Sequence, residues 1–329
     1  MANAVIQSTG MFVPEKVVPN AYFNELLGTD VDTWLKENVE IYERHWCTEE
    51  EATADLCVGA AKVALERAGL TAEDLNLIII ATDTPEFISP STASVVQDRL
   101  GAVNAGSFDL NTACAGFVTA LDVGSKYIRS DDQYKHVLVI GAYAMSKYLN
   151  LHDKKTVTLF ADGAGAVILS AKEGNESGFL ASKLQTQGQY NGWMGIYGGG
   201  TRIPIGEKSL QNQDQLLKFV KKFPPELNPQ MWSEMVKELC ERIGAKPEDV
   251  DQFFFTQINI NSIRETLDIL GIPHEKAHTV MHHYGYTGSA CIPMALDEAV
   301  SQGKVNKGDL IMMIGSGGGL AFAGAAFRW

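Results

Sequence analysis

Five cysteines, Cys47, Cys57, Cys114, Cys240 and Cys291, are the side chains best suited to covalent chemistry, and context separates one of them from the rest. Their number is odd and no two form a CxxC pair, so neither a disulfide framework nor a structural zinc site is expected. A free cysteine is ordinarily a small buried hydrophobe. Cys114 stands in SFDLNTACAGFVTALDVGSKYI (107–128). There SFDL reads as a strand and NTAC as a turn, and Ala115 to Ile128 reads as a helix with Phe117, Leu121, Val123 and Ile128 at helical spacing. At a helix N-terminus the free backbone N–H groups and the positive end of the dipole favour thiolate over thiol, and they can hold a developing oxyanion. Ala113, Ala115 and Gly116 leave room for a substrate to reach the sulfur. The plainer alternative is a cysteine buried in a seam between helices.

The elements that would carry this turn occur twice. AGLTAEDLNLIII (68–80) is echoed by IGAKPEDVDQFFF (243–255), with Gly69 and Gly244, and Asp74 and Asp249, at one constant offset; Ala120-Leu121-Asp122 recurs at that offset as Ala295-Leu296-Asp297. Each copy reads as a helix closed by a left-handed glycine, an acidic turn, and an apolar run fit for a strand buried on both faces. A further buried strand follows in each, HVLVIG (136–141) and LIMMIG (310–315). Strands alternating with helices predict an α/β fold with mostly parallel sheets. The halves are expected to be residues 1–172, carrying Cys114, and 173–329, with the boundary near Ser170–Ser177 after GAVIL. Residues 186–231, with YGGG, a QNQDQ run and Pro224-Pro225, are the least regular stretch and are expected to include a long functional loop.

Bulk properties narrow the function classes. The chain has 329 residues and a net charge of −13, which argues against nucleic acid as the main partner, since phosphate binding needs clustered Lys and Arg. No apolar run approaches the ~20 residues of a membrane span, and MANAVIQSTGMFVPE lacks the basic and apolar regions of a signal peptide. A cytoplasmic enzyme without a membrane partner is the expectation.

The ordered series DLNTACAGF, LFADGAGAVIL (159–169), TDTPEFISPSTASVVQDRLG (82–101), IYERHW (41–46) and the C-terminal ALDEAVSQGKVNKGDLIMMIGSGGGLAFAGAAFRW resembles the β-ketoacyl-carrier-protein synthase III family over nearly the whole chain. The resemblance implies a thiolase-like fold: duplicated βαβαβ halves in five layers, α-β-α-β-α. It implies that Cys114 attacks an acyl thioester and holds the acyl group, with the backbone N–H of Cys114 and that of Gly319 as the oxyanion hole. Trp34 would stack on the adenine of coenzyme A, with Lys154 in the place of the family's arginine and Asn259 also at the coenzyme site. Acyl-CoA or an acyl-carrier protein would be the donor, with coenzyme A or phosphopantetheine thioester as substrate and no resident cofactor or metal. It also implies a homodimer through the loop 83–92. Ser89 there replaces a bulky residue that the family's partner subunit often inserts into the acyl pocket, and Phe87 could refill that space.

The chain departs from the family at two positions. Thr256, in Thr256-Gln257-Ile258-Asn259, stands where the family has its catalytic histidine, and Tyr286, in Tyr284-Gly285-Tyr286-Thr287, where it has its catalytic asparagine. Threonine is a weak donor and no base near neutral pH, so ordinary decarboxylation of a malonyl thioester is called into question, while acylation of Cys114 is not. Asp83 follows the strand Leu77–Ala81, where a related branch of the fold places a glutamate acid/base, and could act on an acceptor or merely cap a turn. His282 and His283 could supply a base or be packing residues. Lys218, Lys221 and Lys222 in LLKFVKKF stand at near-helical spacing and, with Arg264, form a candidate docking patch for an acidic carrier, or else a solvated helix face. Three readings follow: a condensing enzyme of specialised fatty-acid, polyketide or secondary metabolism; an O- or N-acyltransferase; and a catalytically weak partner subunit of a complete homologue.

Overall fold

The computed structural model describes residues 2–174 and 177–329; Asn175 and Glu176, inside the expected boundary region, lie outside the described residues. Two sheets follow one plan. The first runs Asn3–Phe12, Asp162–Lys172, His136–Ala144, Leu77–Ala81 and Gly106–Leu110 in spatial order. The second runs Gly178–Thr186, Ala321–Arg328, Leu310–Gly317 and Gln252–Phe255. In each, the apolar run read from the repeated segment pairs in parallel with the next buried strand, Leu77 with Val137 and Gln252 with Ile311. But Asp162–Lys172 and Ala321–Arg328 run antiparallel to both of their neighbours, so the sheets are mixed and not mostly parallel as expected. Among the described residues the second sheet has no equivalent of Gly106–Leu110; a single parallel bridge, Phe253 to Ala277, stands there instead.

Buried on both faces, the Leu77–Ala81 and Leu310–Gly317 strands read as unbroken apolar runs, as sheets covered on both sides require. The helices Gly116–Ser130 and Cys291–Ser301 fill the layer between the sheets. Thr53–Ala68 and Thr92–Leu100 cover the outer face of the first sheet, and Leu227–Ile243 and Ile260–Leu270 that of the second. The five layers are α-β-α-β-α.

The repeat extends to hydrogen bonds. Gly69 and Gly244 close their helices with φ of 67° and 68°, a region that costs glycine no Cβ clash. In the acidic turns, Asp74 accepts from the Thr71 N–H and Asp249 from the Lys246 N–H, both at 2.8 Å. The recurring Ala-Leu-Asp lies on the two central helices, and its aspartates reach across to the edge strands. Asp122 accepts from the Ser182 hydroxyl and pairs with Lys126 at 2.7 Å. Asp297 accepts from the Thr9 hydroxyl at 2.6 Å and pairs with Arg67. A buried carboxylate is costly unless so paired, and each pairing ties a central helix to a sheet.

Candidate active site

The Cys114 turn is assembled from both halves. The strand Gly106–Leu110 ends, and Ala113 then takes φ of 47°, left-handed backbone that is uncommon for a residue with a side chain. Asn111 Oδ1 steadies the turn by accepting from the Ala113 N–H at 2.9 Å, and the hydroxyls of Thr112 and Thr119 meet at 2.9 Å. The second half presses on this turn through Gly317: a Cβ there would lie 2.5 Å from the Cys114 backbone nitrogen, so the close approach requires glycine. The helix begins at Gly116, two residues beyond the cysteine.

Cys114 is 1% exposed. Contrary to the thiolate expected at a helix N-terminus, burial pushes its thiol well above the usual range and the nearby Asp83 carboxylate adds to the rise. The Tyr286 hydroxyl, a hydrogen-bond partner of the sulfur, acts in the opposite direction. Desolvation outweighs the helix terminus here, because the charged form has exchanged water for apolar walls. The cavity at Cys114 is small, about 90 Å³, and is lined by Met194, Phe219, Phe223, Leu227, Ile258 and Leu320, with Thr256, Tyr286, Gly317 and Gly318 beside the sulfur.

Thr256 and Tyr286 therefore both reach this cavity, in different states. The Thr256 hydroxyl accepts from the Ser316 N–H at 2.9 Å and donates to the Ser316 carbonyl at 3.4 Å, so it is engaged with the neighbouring strand in both directions. Tyr286 packs its ring against Phe160 and Tyr143 and turns its hydroxyl to Cys114.

A second cavity of about 240 Å³ borders the Cys114 turn at Asn111 and Ala113 and shares Met194 and Gly318 with the first. Asp83 and Gly319 line this one, so of the glycine run Gly317 and Gly318 border the Cys114 cavity and Gly319 borders the Asp83 cavity. Asp83 caps no helix. Its Oδ1 is covered by protein and has no hydrogen-bond partner, and burial pushes its carboxyl up to about 6.

Trp34 and Lys154 stand on different elements yet line one further cavity of about 470 Å³, with Thr29, Asp30, Val31, Lys155, Thr158 and Leu159. Trp34 is 53% exposed, which leaves its ring open for stacking. Asn259 is not beside them. Its side chain accepts from the Asn261 N–H at 3.0 Å and caps the helix Ile260–Leu270, a use that competes with contacting a coenzyme.

Other candidates fall away from the sulfur. His282 is held by the Glu40 carbonyl and the Thr279 hydroxyl, and His283 faces Glu43 at 3.5 Å; neither lines the Cys114 cavity. The lysines are not on a helix: Lys218–Phe219 is a short strand paired with Met194–Gly195. Lys218 pairs with Asp214 and Arg264 with Glu40, while Lys221 lies 4.0 Å from the Trp193 ring centre. Periodicity misled here because Phe219 and Phe223 turn inward to the cavity wall from a segment of irregular backbone. Phe87 and Ile88 are exposed, at 53% and 83%, and Ser89 is exposed beside them.

Residues 188–223, inside the stretch marked as irregular, supply Asn191, Met194, Tyr197, Leu217, Phe219 and Phe223 to the two cavities. Composition flagged the segment but not which side chains point inward. Tyr143, at the end of the HVLVIG strand, was invisible as a site residue because a buried aromatic there reads as core.

The comparisons with known proteins agree with this architecture. The family described as 3-Oxoacyl-[acyl-carrier-protein (ACP)] synthase III matches residues 108–188, and its C-terminal counterpart matches residues 240–329. A β-ketoacyl-[acyl-carrier-protein] synthase III from Clostridium perfringens is 38% identical, with all of both chains covered. One from Rhodobacter capsulatus is also 38% identical, over 99% of each chain. Among solved structures, the 3-oxoacyl-[acyl-carrier-protein] synthase III of Aquifex aeolicus superimposes with a TM-score of 0.89 at 34% identity, covering 99% of this chain and all of that one. The priming β-ketosynthase of the R1128 polyketide pathway gives 0.90 at 27% identity, covering 99% and 96%.

Proposed function

The chain belongs to the β-ketoacyl-[acyl-carrier-protein] synthase III family, and from that membership and the surroundings of its buried cysteine we propose an acyl-transferring condensing enzyme that carries its acyl group on Cys114. The observation that supports this most is the turn itself: a cysteine on left-handed-flanked backbone, pressed by Gly317 and opening into a cavity between the two halves. Sγ would attack the carbonyl carbon of an acyl thioester. The new C–S bond forms as the donor's C–S bond breaks, and the departing thiol takes up the proton that Cys114 gives up. Tyr286 would hydrogen-bond to the sulfur as charge develops, and backbone N–H groups of Cys114 and of the Gly317–Gly319 run would receive the carbonyl oxygen. Coenzyme A or a phosphopantetheine arm would lie over the Trp34 and Lys154 cavity. The repeats, 1–172 and 173–329, would each contribute one wall of the site. A homodimer through the exposed Phe87 and Ile88 fits the apolar surface left open there.

The acceptor is the less familiar half of the reaction. With the Thr256 hydroxyl occupied by Ser316, no imidazole lines the cavity to polarise a malonyl thioester. That observation favours a second reading, transfer to an alcohol or amine. One experiment separates the two. Intact mass after incubation with acyl-CoA thioesters should show an acyl adduct that Cys114→Ala abolishes while the fold survives. Adding malonyl-carrier protein should then release carbon dioxide and β-ketoacyl product if condensation is the reaction. Deacylation only by alcohols or amines would move the function to acyl transfer. No adduct from any donor would overturn both and leave the partner-subunit reading.

A further inference from the structure

The cavity at Asp83, the rear one, is unlike the front one at Cys114. At Cys114 the front cavity is walled mainly by Met194, Phe219, Phe223, Leu227, Ile258 and Leu320. The rear cavity, which shares the lining residues Met194 and Gly318 with it, presents Asp83, Asn111, Tyr143, Asn191 and Tyr197 between its apolar residues. Some of these polar groups are already used: Asn111 Oδ1 receives the Ala113 N–H, Asn191 Nδ2 donates to the Gly188 carbonyl, and the Tyr197 hydroxyl donates to the Asn191 carbonyl. Asp83 is not. Its Oδ1 has no partner, and no lysine, arginine or histidine lines the cavity with it.

Asp83 is only part-buried, with Oδ1 covered and unpaired. An unpaired, covered carboxylate oxygen is costly, and a wholly saturated acyl chain laid against the group would add to that cost by excluding the water that reaches the rest of it. A ligand that brings its own donor reverses the balance. Burial holds the Asp83 carboxyl at about 6, so near neutral pH it is mainly ionised and an acceptor on both oxygens. The space sets the size: about 240 Å³, at about 30 Å³ per water-sized group, admits roughly eight non-hydrogen atoms.

We propose that the acyl group carried by Cys114 is short and bears a hydrogen-bond donor, a hydroxyl or an ammonium, which Asp83 receives in the rear cavity. The proposal rests on the acyl-Cys114 reading above and names its substrate class.

Three coenzyme A thioesters of matched shape test it: butyryl, 3-hydroxypropionyl and β-alanyl, which differ only in whether the last group is methyl, hydroxyl or ammonium. They are offered pairwise to the full-length protein, and the Cys114 adducts, too close in mass to separate on the whole chain, are read on the proteolytic peptide that carries Cys114. At least one donor-bearing acyl group should exceed butyryl by about tenfold or more, the weight of a hydrogen bond to a charged group. Asp83→Leu should reverse the order. Asp83→Asn, which keeps shape and an acceptor, should lose a preference for β-alanyl more than one for 3-hydroxypropionyl, and it serves if the leucine variant fails to fold. Butyryl equalling or exceeding both others in the wild type would overturn the proposal while the acyl-enzyme reading stood. So would a donor preference that survived in both variants. No adduct from any of the three would overturn both.

Discussion

Asp83→Asn should stabilise the protein, and by an amount that grows with pH. Burial raises this carboxyl from 3.8 to about 6. The sign follows from proton binding: a group whose folded value is raised holds its proton more tightly in the native state. Its stabilising contribution is complete below 3.8, declines as pH rises, and is gone above about 6. The shift of about two units, at about 1.4 kcal/mol each, makes ionised Asp83 cost up to about 3 kcal/mol. Asparagine has no such cost at any pH. Any constant effect of the amide cancels when variant and wild type are compared at two pH values. Between pH 5 and pH 7.5 the advantage of the variant should therefore grow by about 1.3 kcal/mol. Urea denaturation of both proteins at fixed concentration, followed by fluorescence at each pH, measures this. An advantage that is the same at both pH values would refute the reasoning, since it would mean that Asp83 does not titrate between them. An advantage that shrank as pH rose would refute it more strongly, requiring a cation partner for Asp83.

Tyr286→Phe removes the hydrogen-bond partner that opposes the rise of the Cys114 thiol; at about 1.5–3 kcal/mol for a bond to a charged sulfur, alkylation of Cys114 by iodoacetamide at pH 7.5 should slow by roughly ten- to a hundredfold, read by intact mass. Thr256→Ala leaves the Ser316 N–H without its acceptor in a buried strand and should cost about 1–3 kcal/mol in denaturant titration, with Thr256→Ser nearly neutral. Paired charge reversal, Lys221→Glu with Lys222→Glu, should reduce acyl transfer from an acidic carrier protein at low salt while sparing transfer from coenzyme A; equal loss with both donors would argue against docking at this segment.

The fold was legible because its information is local and doubled. Gly69 and Gly244, Asp74 and Asp249, and the two Ala-Leu-Asp triplets announce elements whose caps, turns and buried strands are set within a few residues, and each copy corroborates the other. Where the copies diverge, the sequence is silent. Nothing in residues 270–280 shows that the fifth strand of the second sheet is reduced to the single bridge at Ala277. The LLKFVKKF segment failed for the opposite reason: its spacing is helical, but pairing of Lys218–Phe219 with Met194–Gly195 overrides local preference.

The site was legible as identities and not as states. That Thr256 and Tyr286 stand where the family resemblance expects a histidine and an asparagine is an expectation read from their neighbours in the sequence. What each does there depends on partners far along the chain: Ser316 for Thr256, and Cys114 for Tyr286. The same holds for the cysteine. Its position before a helix suggests a ready thiolate, yet the helix supplies a fixed and modest field while the walls from the other half remove water, and the second effect prevails. A thiol so held gains little by ionising in advance. Its proton is better given up as the acyl carbonyl is attacked, with Tyr286 at the sulfur and the departing thiol as the eventual acceptor. On the proposed reading, the histidine expected at Thr256 would not be missed in forming the acyl-enzyme. Its absence would be felt only at the acceptor, which is why, on that reading, the chemistry of the acceptor, rather than the fate of Cys114, would separate condensation from acyl transfer.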